Sequence, residues 1–502
     1  MKANLIKNKR IKSLFVAGLM TTIVGCSVKT DSFTADERKD RINTDLSSLF
    51  EGQEPISGPI TLGEAIARSL SYNLDHRLKK MEAAVAVRRY DLDKHGLLPK
   101  LVADAGYSKR NNDPGARSID LETGEESLPP SSSQERESET AGLSLTWNVL
   151  DFGLSYYIAK QNSDQVYIAD ERRRKTVQNI TQDVVDAFWK AWISQTLDPK
   201  VEALLAETRQ SLAESRRLVN RGVQNSSEAL RSQGEMLSTI NSLIEIRERI
   251  DLSRTRLAAL INIAPGSEYE VAVPTGLDTP AAISQSYDQL TKIALLNRPE
   301  LREEDYRKRI SEYDVKKAFL RYFPNLNISA GYNRDENEFL VNNSWNTIGW
   351  GITWDLLGIL RAGSEKRFRE AQVDVADSRR LALSMAVTTQ VYLSAIRYEL
   401  ALARYQSASE LFEVRKSLAK NSSVQGARVS GLDNLSARSA AIASELRRSL
   451  AFAETQAAFA RVVNSIGIDP VPNSVNSYDL KTLGAEFDKR WASMTKGVLS
   501  DF

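Results

Sequence analysis

The chain has 502 residues, with 67 Lys and Arg against 65 Asp and Glu, two His and one Cys. One Cys excludes a disulfide scaffold and a cysteine-based zinc cluster, and two isolated His give no basis for a His-rich metal site. A charged fraction of 26% and a negative mean hydropathy exclude a helical polytopic membrane protein. The near-zero net charge carries no bulk signature of nucleic-acid binding. Long stretches without Gly or Pro indicate a helix-dominated chain.

The N-terminus has the pattern of a secretory signal. A basic start without acids precedes the apolar run 13–25, which is too short to span a bilayer as a helix of about 20 residues. The run ends at Ile23-Val24-Gly25-Cys26, which resembles a bacterial lipobox. That resemblance implies a lipoprotein signal peptide over 1–25 and lipidation of Cys26, and Ser27 after it favours outer-membrane sorting. The alternative is a buried free Cys near an ordinary cleavage site.

Two parts of the chain share a pattern. Ala105-Gly106-Tyr107 and Ala330-Gly331-Tyr332 are related by one offset, and Leu145-Thr146-Trp147 and Ile352-Thr353-Trp354 by a shorter one. The difference between the offsets falls in the loop between the two motifs of each half. These matches predict a tandem repeat in which each half contains long helices and two strands.

The repeat predicts the organisation of the chain. Its segments are an N-terminal extension over 26–59, a first repeat over 60–268, a linker over 269–282, a second repeat over 283–468 and a C-terminal tail over 469–502. Strands are expected at about 98–108 and 141–150, and at about 324–334 and 346–356. Because residues 27–58 and the tail after about 470 show no period, we expect them to be extended or irregular.

The predicted strands alternate between apolar and polar residues. In the second strand, Leu143, Leu145 and Trp147 share one face, while Ser144 and Thr146 share the other. Such strands fit a membrane barrel, but a sandwich with a solvated outer face has the same alternation. The small uncharged polar face and the count of four strands favour the membrane. Four strands cannot close a barrel and open edges are costly in lipid, so several chains must share one barrel.

The helices are unusually long. Residues 364–425 contain neither Gly nor Pro, which allows a continuous helix of about 93 Å. A second long helix is expected over 154–198, ending at Asp198-Pro199 and followed by 200–221. Return helices are expected at about 235–264 and 432–466. The first has a heptad stripe of Met236, Leu243, Ile250 and Leu257 with a second stripe of Leu237 and Ile244 beside it, which predicts packing on two sides.

The whole arrangement resembles the TolC-like outer-membrane efflux protein family over about residues 60–468. The matching stretches are 60–67, 97–99, 145–153, 297–301 and 323–326. The resemblance implies a mainly α fold with a membrane β-barrel, in which a homotrimer forms one 12-stranded barrel continued by a periplasmic α-barrel. It also implies an exit duct for an inner-membrane pump joined through a periplasmic adaptor, in a tripartite efflux or type I secretion system. The substrate class, drug, metal or polypeptide, stays open.

Two places carry function in that family, the hairpin tips that dock the adaptor and the periplasmic gate. The resemblance places Arg221 and Gly222 at the first tip and Gly426 at the second, where the alignment is ambiguous by one residue. It makes Asp433 the candidate gate acid, although Ser436 stands where a second acid can occur. The alternatives are helix-terminating glycines and an acid favoured by the helix dipole.

Enzymatic motifs are absent from the sequence. It has no GxSxG, no P-loop and no complete GxGxxG, so we expect no enzyme, no cofactor and no catalytic or metal site. The competing hypothesis is a lipid-anchored coiled-coil spacer or adhesin of the cell envelope. A spacer gives no reason for four amphipathic strands at matched places in a repeat.

Overall fold

The computed structural model describes residues 31–126, 129–221, 226–272, 279–424, 431–471, 479–497 and 499. The chain divides into two units, residues 1–54 and 55–502. The first unit contains helix α1 (Ala35–Ser48), which begins with a reciprocal capping box between Thr34 and Glu37. The expectation of an irregular segment over 27–58 was therefore wrong here. Periodicity missed α1 because no residue of this helix is buried, whereas its capping box is a local signal.

The second unit contains the same order of elements twice, two short helices, two strands and two long helices. The first set is α2 (Leu62–Tyr72), α3 (Leu74–Lys94), β1 (Lys100–Lys109), β2 (Glu137–Asn148), α4 (Val149–Asn220) and α5 (Ser226–Leu260). The second set is α6 (Tyr287–Asn297), α7 (Pro299–Leu320), β3 (Asn325–Asp335), β4 (Ser344–Thr353), α8 (Gly358–Val424) and α9 (Gly431–Ser465). A last helix, α10 (Leu480–Met494), follows them.

Helix α4 continues through Pro199, where the sequence predicted a break. A proline inside a helix removes one backbone hydrogen bond and crowds the preceding turn. Here Pro199 itself is exposed, while Leu197 and Val201 on either side of it are fully buried. Packing on both sides of the proline therefore maintains the helix. Within the described ranges, no helix is both long enough and apolar enough to cross a membrane.

The tail after residue 470 contains a helix that the sequence analysis did not expect. Asp479 caps the N-terminus of helix α10, because its carboxylate accepts a hydrogen bond from the Thr482 backbone N–H. Its buried face includes Phe487 and Trp491, whose rings stack with centroids 5.4 Å apart. Trp491 also meets Phe459 of α9 edge to face. The tail is thus part of the core, and its short amphipathic pattern is why periodicity alone missed it.

The long helices form two antiparallel hairpins, α4 with α5 and α8 with α9. The hairpins lie side by side because α4 packs against α9. Two ion pairs join these helices, Lys200 to Glu445 at 2.7 Å and Arg438 to Glu207 at 2.6 Å. This arrangement leaves the outer sides of α5 and α8 without a partner helix over much of their length in the described chain.

The main hydrophobic core lies where the hairpins meet α2, α6 and α10, which we call the collar. Phe452 of α9 is fully buried there against Trp189 and Trp192 of α4. The hydroxyl of Tyr398 in α8 donates to the Pro280 carbonyl at 2.8 Å. A parallel β-bridge pairs Ile60 with Val271. The Val271 carbonyl also accepts a hydrogen bond from the side-chain amide of Gln195 in α4. The collar therefore holds all four long helices at one level.

A buried arginine fastens the end of α9 to the collar. Arg298 is 4% exposed and precedes Pro299, which starts α7. Its guanidinium donates to the Ser465 carbonyl at 3.1 Å and to Glu300 at 3.0 Å. A cation at a helix C-terminus is favoured by the helix dipole. Gly467 lies just after the end of α9 and has φ +75°. A Cβ at this position would come within 2.8 Å of the Arg298 backbone. Glycine is therefore required here.

The first half has an equivalent contact at the end of α5. The Asn73 amide donates to the Leu260 carbonyl at 3.1 Å, while its oxygen accepts from the first turn of α3. Asn262 then adopts φ 57°, the left-handed conformation that commonly ends helices. Each return helix is thus secured by the residue that joins the two short helices of its own half.

Glu300 links the buried Arg298 with the half-buried Lys175. Its carboxylate lies 2.9 Å from Lys175 and 3.0 Å from Arg298. Burial raises the pKa of Glu300, but the charges of Lys175 and Arg298 outweigh burial, so this pKa lies below the ordinary value of 4.5. A carboxyl group with a lowered pKa in the folded state stabilises that state above its unfolded pKa. The contribution is lost as the pH falls through the folded pKa.

We expect Glu300→Gln to lower the free energy of unfolding at pH 7 by about 1–3 kcal/mol, because it leaves two partly buried cations without their carboxylate. The difference from wild type should shrink once the pH falls below 4.5. Denaturant unfolding of the full chain in detergent, followed by tryptophan fluorescence at several pH values, measures both effects. Glu312→Gln, at an exposed site on the same helix, is the control. A pH-independent difference would contradict the ion-pair role.

Candidate functional site

The four strands form one antiparallel sheet in the order β1-β2-β3-β4. The strands lie within a few residues of their expected bounds, except that β2 begins at Glu137. The register aligns apolar residues in rows across the sheet. One row is Leu101, Leu145, Ala330 and Ile348, and another contains Trp147, Ile328 and Trp350. One face of the sheet is therefore apolar over most of its height.

The opposite face carries small polar residues and glycines. The neighbouring row runs Val102, Ser144, Gly331 and Thr347, and the row on the other side runs Lys100, Thr146, Ser329 and Gly349. Small side chains leave room next to this face. The alternation that the sequence predicts thus extends across all four strands as two chemically different surfaces.

The apolar face is not covered within the described chain. Ile348 is 88% exposed, Trp350 is 75% exposed and Leu101 is 63% exposed. Contiguous apolar surface of this extent on a soluble monomer usually marks contact with another molecule or with lipid. The edge strands β1 and β4 also have no further partner strand among the described residues. The sheet therefore needs both an apolar environment and additional strands.

The free sides of α5 and α8 carry exposed apolar stripes. On α5 the residues are Leu230, Leu237 and Ile244, which lie seven apart. On α8 they are Leu393, Ile396, Leu411, Val414 and Leu418. The predicted heptad face of α5 is buried at Met236, Leu243 and Leu257, whereas the side chain of Ile250 lies outside the description.

The second stripe of α5, Leu237 and Ile244, does not pack within the chain. The prediction that this helix packs on two sides is therefore not met by the single chain. A surface with heptad spacing is suited to pairing with another helix. The stripe is thus available to a second molecule.

The structure describes only part of the predicted site residues. Arg221 lies exposed just after α4, with its backbone N–H donating to the Arg217 carbonyl. Asp433 is the third residue of α9, so its backbone lies in the first helical turn. Cys26, Gly222 and Gly426 lie outside the described residues. The roles of all five residues stay predictions.

A charge network beside the collar was missed by sequence reasoning. Arg174 of α4 contacts Glu171 and forms a 2.8 Å ion pair with Asp469. Nearer the N-terminus of α4, the carboxylate of Asp164 accepts a hydrogen bond from the guanidinium of Arg309 in α7. Glu171 and Arg174 are neighbours on one helix, but Asp469 and Arg309 are far in sequence from their partners, so spacing could not reveal those two pairs. No group of His, Cys, Asp and Glu in the described ranges could hold a metal ion.

Comparison with solved structures identifies this fold. The outer membrane channel MtrE of Neisseria gonorrhoeae, in its open state, shares 15% identity and a TM-score of 0.62, covering 84% of this chain and 95% of that one. The Campylobacter jejuni channel CmeC shares 13% identity and a TM-score of 0.63, covering 95% and 98%. VceC of Vibrio cholerae, an outer membrane protein, shares 14% identity and a TM-score of 0.59, covering 81% and 96%. At these identities the likeness shows the fold alone.

The sequence comparisons concern a smaller part of the chain. Residues 68–262 match the family model described as Outer membrane efflux protein, which is a channel family and not an enzyme family. No curated protein matches the chain. The family match over residues 68–262 and the shared fold confirm the resemblance to the TolC-like outer-membrane efflux proteins that the sequence predicts.

Proposed function

We propose that the chain is one protomer of an outer-membrane exit duct that passes substrates from an inner-membrane pump to the exterior. The observation that carries this proposal is the sheet, whose apolar face is exposed and whose two edges are open. Lipid satisfies the apolar face, but unpaired strand edges in lipid cost several kcal/mol for each unsatisfied group. Only closure with further strands satisfies both requirements. A coiled-coil spacer would have no need of such a sheet.

Three chains of four strands would supply twelve strands to one barrel. Because the sheet is antiparallel and has an even number of strands, β4 of one chain runs antiparallel to β1 of the next. Every junction then repeats the pairing found inside the chain. In such a barrel the apolar rows would face lipid and the rows of small polar residues would face the lumen, as in membrane barrels.

The exposed stripes on α5 and α8 support the same homotrimer. They lie on the two free sides of the paired hairpins, so α5 of one chain can pack against α8 of the next. Three repetitions of this contact would close a ring of twelve long helices. Leu237 and Ile244 then obtain the second packing partner that heptad spacing predicts.

The hairpin tips are proposed to dock a periplasmic adaptor, in a tripartite efflux or type I secretion system. Arg221 at the first tip is exposed, and Gly222 and Gly426 follow the two longest helices in the sequence. The adaptor would favour the open duct by binding it more tightly than the closed one. The mature chain would be anchored by lipid at Cys26, with its long helices in the periplasm.

Substitutions on neighbouring positions of β2 test the membrane assignment of the sheet. Leu145→Arg should destabilise the assembled protein by about 2–4 kcal/mol, because it places a charge in lipid near the midplane. Ser144→Arg, on the opposite face, should mainly narrow the lumen and leave assembly intact. The fraction of heat-resistant trimer in outer-membrane extracts compares the two. Equal assembly defects would refute the assignment.

Replacement of Asp433 tests the gate and the duct. Three carboxylates around one axis would favour cations and narrow the lumen. Asp433→Ala should therefore raise single-channel conductance in planar bilayers and lower cation selectivity, without changing trimer formation. Asp305→Ala, at an exposed acid on α7, is the control. If the variant has wild-type conductance and selectivity, Asp433 is not part of the gate. A separate outcome concerns the tips: if the adaptor does not change channel opening, docking of the adaptor at the tips is contradicted.

Replacement of Cys26 tests the lipid anchor. Cys26→Ala should lose incorporation of labelled palmitate, whereas Ser27→Ala should retain it. Export should be weakened rather than abolished, because the proposed barrel itself spans the membrane. Unchanged incorporation of palmitate in Cys26→Ala would show that the lipobox resemblance is misleading.

A further inference from the structure

One side of α8 faces away from both the collar and the core. On the collar side, Tyr392 and Glu399 form hydrogen bonds with Asp288 and Tyr287 of α6. At about 100° per residue, Arg397 and Arg404 point about 160° and 140° away from Glu399 around the helix. They therefore lie opposite the collar. In the proposed ring of helices, the side opposite the collar is the wall of the conduit.

An open cavity of about 260 Å³ lies on this side, between α8 and α9. Arg397, Leu400, Ala401 and Arg404 line it from α8, and Glu454 and Arg461 line it from α9. Leu400, which is 52% exposed, provides apolar surface between the guanidinium groups, whereas Ala401 is only 3% exposed. The cavity thus combines positive charge with hydrophobic contact.

The charges around the cavity are not balanced. Arg461 lies 2.9 Å from Glu454 and is paired with it. Arg397 and Arg404 are exposed and form no ion pair with the described residues. Asp183 of α4 lies 3.4 Å from Arg256 of α5, and no acid of α4 lines the cavity. Two guanidinium groups therefore remain without a counter-charge.

We propose that this cavity binds amphipathic organic anions as they pass along the duct. Arg397 and Arg404 would hold a carboxylate, sulfonate or phosphate group, because guanidinium groups bind such oxyanions through paired hydrogen bonds. Leu400 would contact the apolar part of the same molecule. The location inside a conduit rests on the proposed function, but the cavity and its charges do not.

Three copies of the cavity would form a positively charged belt in the trimer. Focused positive potential raises the local concentration of anions and lowers that of cations. The belt would therefore make organic anions the preferred cargo, even where an acidic gate at the periplasmic end favours small cations. Acids of a neighbouring chain are the competing partners, since Glu245 and Glu248 on the free side of α5 are exposed.

The test uses the full chain in non-ionic detergent and the fluorescent anion pyrenetetrasulfonate, with cationic ethidium as the comparison dye. Fluorescence anisotropy should show saturable binding of the anion and none of the cation. Arg397→Gln with Arg404→Gln should weaken anion binding about 10- to 100-fold. The control is Lys481→Gln with Lys489→Gln, which removes two exposed positive charges from α10. It should leave binding unchanged.

Several results would overturn the proposal. Wild-type binding of the anion by the double glutamine variant would show that the two arginines do not hold it. A failure of that variant alone to form trimers would assign the arginines to acids of the neighbouring chain. The double variant Arg397→Lys with Arg404→Lys keeps both charges and should retain most of the binding. Equal losses in the lysine and glutamine variants would contradict electrostatic attraction.

Single-channel recording separates this proposal from that of the duct. If wild type forms no channels in planar bilayers, the conduit is wrong, whereas dye binding still reports on the cavity. If wild type conducts, pyrenetetrasulfonate should block it at a concentration at least tenfold lower than for the double glutamine variant. Equal block of both would show that the cavity does not lie on the path of the anion.

Discussion

The hydrogen-bonding requirement of an open antiparallel sheet governs the rest of this structure. Four antiparallel strands leave two unpaired edges and an apolar face that no element of the described chain covers. Neither water nor lipid alone accommodates both features. The described chain consequently leaves the sheet with open edges and an exposed apolar face, and the free stripes on α5 and α8 leave apolar surface exposed in its helical part as well. One mode of association would satisfy both parts at once.

The repeat is also visible in how the helices end. Asn73 and Arg298 stand at equivalent places between two short helices, and each binds carbonyl groups at the end of a return helix. One does so with a neutral amide and the other with a buried cation, which needs Glu300 as its counter-charge. The two halves thus keep the geometry of the contact and differ in its chemistry. Sequence matching between the halves cannot detect such an equivalence.

Patterns with a strict period were the most predictable from sequence. The alternation along β2 and the heptads of α5 predict which side chains share a face. The strands also lie close to their expected positions. Features that depend on a balance between a local sequence signal and packing against distant residues were less predictable. Pro199 suggested a break, but the burial of Leu197 and Val201 maintains α4. Helix α1 depends on its capping box and α10 on distant aromatic partners, and neither is visible as a period. The cavity of Arg397, Arg404 and Arg461 unites two helices, so spacing along one of them could not reveal it.

The anchoring of the return helices has a mechanical consequence. Helices α5 and α9 have 35 residues each, which corresponds to about 52 Å from the collar to the tip. Each is fixed at its collar end by Asn73 or Arg298, so it can act as a lever with its pivot at the collar. A rotation of about 10° there would move the far end by about 9 Å for a helix of this length. Helices α4 and α8 run unbroken from the sheet to the tips, so the same rotation need not disturb the strands. The length of the levers thus allows a small rearrangement at a rigid pivot to produce a wide displacement at the far ends of these helices.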